Sequence, residues 1–139
     1  MNKYIYLYLI YAMIFISGCS HTGQSGNTSF LDTTWNLSEL FSEKIQYAGS
    51  QIPYLRFEPE RVNGNDGCNN FFGGYTLNKD NLKFGLLAST RMACPDMEGF
   101  EVIFNKMLSM TTRFRISGNR LDLFEDEKLL ASFLAAEQI

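Results

Sequence analysis

From Thr34 onward the chain is divided into short apolar runs, Thr34 to Leu40, Tyr54 to Phe57, Gly73 to Leu77 and Leu82 to Phe84, separated by clusters rich in Gly, Asn, Asp and Pro. Runs of that length, punctuated in that way, are strand and turn signals. The segment Arg61 to Asn70 reads differently. Asn63, Gly64, Asn65, Asp66 and Gly67 are all turn formers, which predicts a tight loop bringing Cys68 into a new strand. The C-terminal part reads as a meander. With Gly118 and Asn119 as a two-residue turn, Ile116 faces Leu121 and Phe114 faces Leu123, while Arg115 lands opposite Asp122 on the other face. A second turn near Asp126 and Glu127 returns the chain through Leu129 to Leu134. This places Leu130 and Leu134 on one face and Leu129 and Phe133 on the other. A strand apolar on both faces needs a cover on each, whether the helix, a closed barrel wall or a partner.

One segment carries helical signals. Pro95 followed by Asp96 and Glu98 suits a first helical turn, because proline has no N–H to lose there and early carboxylates complement the positive end of the dipole. Met97, Phe100, Phe104, Met107 and Leu108 then recur at helical spacing, with Ile103 and Met110 widening the stripe. Packing against a sheet is the reading that this amphipathic pattern favours. A Met-containing stripe also suits a binding surface, and Phe104, Met107, Leu129 and Phe133 are the candidate residues for one.

The N-terminus sets where such a domain works. Lys3, an apolar run from Tyr4 to Ile16 and the tetrapeptide Ile16, Ser17, Gly18, Cys19 have the parts of a secretory signal peptide. The run falls short of the roughly twenty apolar residues that span a bilayer. The tetrapeptide resembles the lipobox of bacterial lipoproteins, which implies cleavage between Gly18 and Cys19 and acylation of Cys19. Two or three acyl chains would then hold the protein on the membrane essentially permanently. Ser20 rather than Asp follows the cysteine, and by resemblance to enterobacterial sorting this favours the outer membrane, with the domain facing the periplasm.

From Ser20 to Ser29 there is no aliphatic residue, and the composition of Ser, Thr, Gly, Asn, Gln and His reads as a flexible tether with a reach of about 17–19 Å. The organisation is therefore a signal peptide over 1–18, the lipidated cysteine and tether over 19–30, and one folded domain over 31–139. All but one of the 12 Lys and Arg remain in the mature chain against 15 Asp and Glu, so nothing recommends nucleic acid as a partner.

With Cys19 lipidated, Cys68 and Cys94 are the only thiols left in an oxidising compartment. A disulfide between them is the natural inference, and closing a loop of about 27 residues would contribute roughly 3–4 kcal/mol. Two free buried thiols are the main competing reading. A zinc site would lack ligands, and the spacing is not that of a redox CxxC pair.

The run Gly67, Cys68, Asn69, Asn70, Phe71, Phe72, Gly73, Gly74, Tyr75, followed by Thr90, Arg91, Met92, Ala93 and Cys94, resembles the signature of the META domain family, to which bacterial HslJ-type lipoproteins belong. The order of other parts agrees: Trp35 near the start, Glu101 and Leu108 on the helix, then Phe114, Ile116, Gly118, Leu121 and Leu123. The resemblance implies an α+β fold, a small antiparallel sheet curved into an incomplete, cracked β-barrel with one packed helix. No cofactor and no metal are expected.

Catalytic inventory is thin. There is no GxSxG elbow, HExxH or P-loop, and the single histidine, His21, lies in the tether. Asp66 near Asn69, and Glu98 with Glu101, are the nearest to carboxylate pairs, and solvated charges explain them more simply. The expectation is a non-catalytic, HslJ-type envelope lipoprotein that binds or stabilises envelope components in stress or antibiotic tolerance. Alternatives are a pilot lipoprotein that chaperones an outer-membrane secretin subunit of a type III secretion system, by architectural similarity, and a carrier of a small apolar ligand.

Overall fold

A computed structural model describes residues 26–45, 51–97 and 99–137. Gly18, Cys19, the signal peptide, the tether up to Ser25 and Glu98 lie outside the described residues. The chain forms β1 (Thr34–Leu40), β2 (Glu43–Lys44), β3 (Tyr54–Glu58), β4 (Arg61–Asn65), β5 (Asn70–Asn78), β6 (Asn81–Ser89), α1 (Phe100–Met110), β7 (Arg113–Ser117), β8 (Arg120–Glu125) and β9 (Lys128–Ala135). The strands are antiparallel neighbours in the order β2-β1-β3-β4-β5-β6-β7-β8-β9, and β1 also pairs with β9. That last pairing bends the sheet into a ring.

The ring is cracked at one seam. β6 and β7 share a single pair, Asn81 with Arg113, flanked by the bonds Leu82 N–H to Thr112 O (3.0 Å) and Phe114 N–H to Asp80 O (2.9 Å). α1 is the connection between these two strands, and it buries Phe104, Met107 and Leu108. They join Trp35, Leu37, Leu55, Phe57, Val62, Phe71, Leu121, Leu123 and Phe133 in one core. The helix stripe is therefore core, as the packing reading expected. α1 starts later than expected. Pro95–Met97 is a separate 3-10 turn, and Gly99 at φ 81° breaks it from the helix that begins at Phe100. Met97 is buried from that turn, and Ile103 stays exposed rather than widening the buried stripe.

Three departures from simple alternation shape the wall. In β1 the pairing with β9 shifts between Leu37 and Glu39, so Leu40 rather than Glu39 joins Trp35 and Leu37 inside. In β9 the register with β8 jumps from Leu123–Ala131 to Phe124–Leu129, leaving Leu130 as an extra residue. That bulge separates Leu130, fully buried, from Leu134, 42% exposed, although uninterrupted alternation places them on one face. In β5 and β6 the register shifts between Gly73 and Tyr75, where Gly73 and Gly85 let the two backbones bend closely past each other, and Leu86 is left 98% exposed.

Arg61 to Asn65 is a strand, not the expected loop; the turn is confined to residues 66–69. Gly64 explains the misreading. A Cβ there would overlap the Phe71 ring and stand 2.5 Å from Tyr54 O, so the glycine serves close packing within a sheet. Gly64→Ala is expected to destabilise the domain by about 1–3 kcal/mol through overpacking. A urea midpoint unchanged from wild type would contradict this packing. The hairpin of β7 and β8 has the expected register, with Ile116 opposite Leu121, Phe114 opposite Leu123 and Arg115 opposite Asp122.

Candidate functional site

The two motif blocks meet at one end of the barrel. Asp66 opens the turn: its Oδ1 accepts the N–H groups of Cys68 (3.0 Å) and Asn69 (2.6 Å), while Asn65 Oδ1 accepts the N–H of Gly67 (2.7 Å), which sits at φ 97°. Side-chain oxygens closing their own backbone in this way are the reason Asn and Asp favour turns. Asn69 then reaches across. Its Oδ1 accepts the N–H of Met92 (2.7 Å) and the hydroxyl of Thr90 (3.1 Å), and Thr90 Oγ1 in turn accepts the N–H of Asn70 (3.2 Å).

The Cys68–Cys94 disulfide, with Cα atoms 6.0 Å apart, locks the same junction. Among the described residues no buried side-chain nitrogen or oxygen is left without a hydrogen-bond partner. Asp66 is thus used in shaping its own turn, and Asn69, Thr90 and the two cysteines in holding two segments together. A shallow hollow of about 460 Å³ lies beside them, bordered by Arg91, Met92, Glu101 and Asn105.

The candidate binding surface is not one surface. Phe104, Met107 and Phe133 are fully buried and Leu129 is half-buried. α1 turns its apolar side into the barrel, so Phe104 and Met107 are interior, and Phe133 joins them from β9, whereas Leu129 stays partly exposed on the wall. The exposed large apolar residues are others, among them Leu86, Phe72, Met92 and Val102.

The opposite end of the barrel carries a closure with only a weak trace in the sequence. Phe30 stacks on Phe57 (ring centroids 4.2 Å apart) and lies against Phe114 (4.7 Å) and Tyr75 (6.0 Å). Its carbonyl accepts the Trp35 indole N–H at 3.3 Å, Leu31 bridges to Phe57, and Asp32 N–H donates to Phe57 O. Further back, Thr28 N–H donates to Gly118 O and Gly118 N–H to Asn27 Oδ1, both at 2.9 Å. Residues 27–32 form a strap across the barrel end. Burial raises the pKa of the Tyr75 phenol, which keeps it a donor to Glu58 O beneath the strap.

On the outer wall a polar row crosses four strands: Glu39, Ser132, Asp122 and Arg115 are successive cross-strand neighbours. Asp122 Oδ1 accepts from Arg120 Nε and from Ser132 Oγ, each at 2.7 Å, and these contacts bury both Asp122 and Ser132 on the outside of the sheet. Its hydrogen bond to Asp122 is the chief reason the Arg120 pKa is raised. Sequence reasoning found the Arg115–Asp122 pair and missed the rest, because Ser132 is brought opposite Asp122 by the bulge in β9 and Glu39 opposite Ser132 by the one in β1.

The seam has its own latch. Arg113 donates to Asp80 (2.8 Å) and to Glu127 (2.7 Å) beside the one β6–β7 pair. The Arg113 hydrogen bond is the largest cause holding the Asp80 carboxyl below its ordinary pKa. A lowered carboxylate pKa gives stability that is present above the unfolded value and is lost as pH falls through the folded value. Amide protection at Leu82 and Phe114 is accordingly expected to be constant at neutral pH and to fall below the ordinary aspartate range. Arg113→Ala should remove that pH dependence; its persistence would contradict the latch.

A family model described as META domain matches residues 28–137. Two solved structures share the fold. One, an NMR structure of a protein from Burkholderia xenovorans, is 24% identical with TM-score 0.61, over 78% of this chain and 85% of that one. The other, also an NMR structure, is 23% identical with TM-score 0.58, over 73% of this chain and 88% of its own. No curated protein matches the chain.

Proposed function

The chain belongs to the META domain family, and from that membership we propose that it is a non-catalytic, lipid-anchored envelope protein acting by binding or stabilising other envelope components. The observation that carries the reading is the use made of the motif residues. Asp66, Asn69, Thr90, Cys68 and Cys94 are engaged with one another and with the local backbone, which suits a scaffold that presents surfaces rather than a reaction centre. The Ile16 to Cys19 lipobox and a disulfide, which forms in oxidising compartments, support the envelope location. Among the described residues no helix is long and apolar enough to cross a membrane, and in this reading attachment is through lipid on Cys19. An apolar carrier is not favoured, because Trp35, Phe57, Phe104 and Phe133 fill the barrel interior.

The test is a pull-down from crosslinked cells with the intact chain and with Cys19→Ala as the unanchored control, read by mass spectrometry. Envelope proteins enriched only by the anchored form are the expected result. Recovery of one secretin, lost from the outer membrane when this protein is deleted, would replace the general reading with that of a pilot. Equal capture by the Cys19→Ala form would sink the anchoring.

A further inference from the structure

The strap fixes where the chain enters the fold, and with it which end of the barrel a lipid surface meets. Resting on the lipid-anchor reading, we infer that the anchored domain turns its Gly118 end to the bilayer and holds its disulfide end away from it. Asn27 and Thr28 are bonded to Gly118, so the chain leaves the fold at the β7–β8 turn. Strand register assigns the other landmarks. Thr34, Arg56, Asn119 and Ala135 lie toward the strap, through the Thr34–Arg56 pair and the Asn119–Ala135 bond. Tyr54, Asn65, Asn70 and Ser89 lie toward the opposite end, where the Cys68–Cys94 junction sits.

Length decides the rest. Whatever conformation residues 20–26 adopt, eight Cα steps from Cys19 to Asn27 span at most about 26–29 Å. A domain of roughly 110 residues has a radius of gyration of about 13 Å, hence a radius near ~17 Å and a path of about 53 Å from pole to pole over its surface. The leash covers about half of that path, so the disulfide end cannot be brought down onto the bilayer holding Cys19. Met92, exposed beside the disulfide junction, is then carried on the half directed into the periplasm, within reach of other proteins.

The experiment uses the lipidated chain purified from membranes and placed in nanodiscs of phosphatidylethanolamine and phosphatidylglycerol doped with a headgroup nitroxide lipid. Amide signals of Gly118 and Asn119 are expected to lose intensity severalfold relative to the same sample after nitroxide reduction, while those of Met92 and Cys94 are retained. Equal loss at both ends, or greater loss at Met92 and Cys94, overturns the orientation. A variant with about twenty Gly and Ser residues inserted between Ser25 and Gly26 should lose the contrast, since its leash can pass around the domain. Contrast that survives the insertion overturns the leash as its cause. Mass spectrometry of the same sample reads the lipid separately. An unmodified Cys19 sinks the anchoring and this inference together, whereas a modified Cys19 with the wrong end broadened sinks the orientation alone.

Discussion

Replacing Cys68 by Ala is expected to lower the stability of the domain by about 3.5 kcal/mol, the loop-closure entropy returned to the unfolded chain when a bridge across 26 positions is removed. For a domain of this size that is a fall in Tm of roughly 10–20 °C. The effect is large because of where the bridge sits. It ties the turn after β4 to the segment that leads into α1, and α1 fills the crack left where β6 and β7 part. Reductant should shift wild type by the same amount and leave the Cys68→Ala protein unchanged. A wild-type melting curve indifferent to reductant would show that the junction stands on its hydrogen bonds alone.

Phe104→Ala should cost as much or more, about 3–5 kcal/mol, the usual range for emptying a buried aromatic site. Phe104 is fully buried, with Phe71 on the wall at 5.9 Å and Phe100 on its own helix at 6.2 Å between ring centroids. Gly64 opposite the Phe71 ring cannot supply volume to fill the hole, because it has no side chain to rearrange. Val102→Ala, on the exposed side of the same helix, should stay within about 0.5 kcal/mol of wild type. Urea midpoints of the pair measure the contrast, and comparable losses in both would mean that the helix is not the barrel's plug.

The legible parts of the fold are those where one signal acts locally. The Gly118 hairpin was readable to the residue because turn chemistry, hydrophobic pairing and the Arg115–Asp122 charge pair all specify one register. The cysteine pairing followed from compartment and count. Where the reading failed, a distant contact overrode a local propensity. Asn63, Gly64 and Asn65 are turn formers that sit in a strand because Phe71, seven residues on from Gly64, needs the space over it. The faces of β9 could not be read by alternation, since a bulge at Leu130 is set by the register of β8. Pro95 did mark a helical turn, but Gly99 stops it before α1 begins. As for the site, the motif residues were found by resemblance, whereas their roles are visible only in three dimensions. Asn69 is 23 positions from the Met92 N–H it binds, and nothing in its neighbours signals that reach. Phe30 falls within the expected tether, and nothing in its neighbours signals that it closes the barrel end against Phe57 and Phe114.

On the proposed reading the motif residues hold the domain and do no chemistry. The most direct measurement pairs two readings on Asn69→Ala and Thr90→Ala: the Tm of the purified protein, and the survival of a deletion strain carrying each variant under heat or envelope-targeting drugs. Survival is expected to fall only as Tm and protein level fall, and variants restored to wild-type stability by a second-site change are expected to regain it. A variant that folds and accumulates normally yet fails to support survival would contradict a purely structural role and make the junction a site of action.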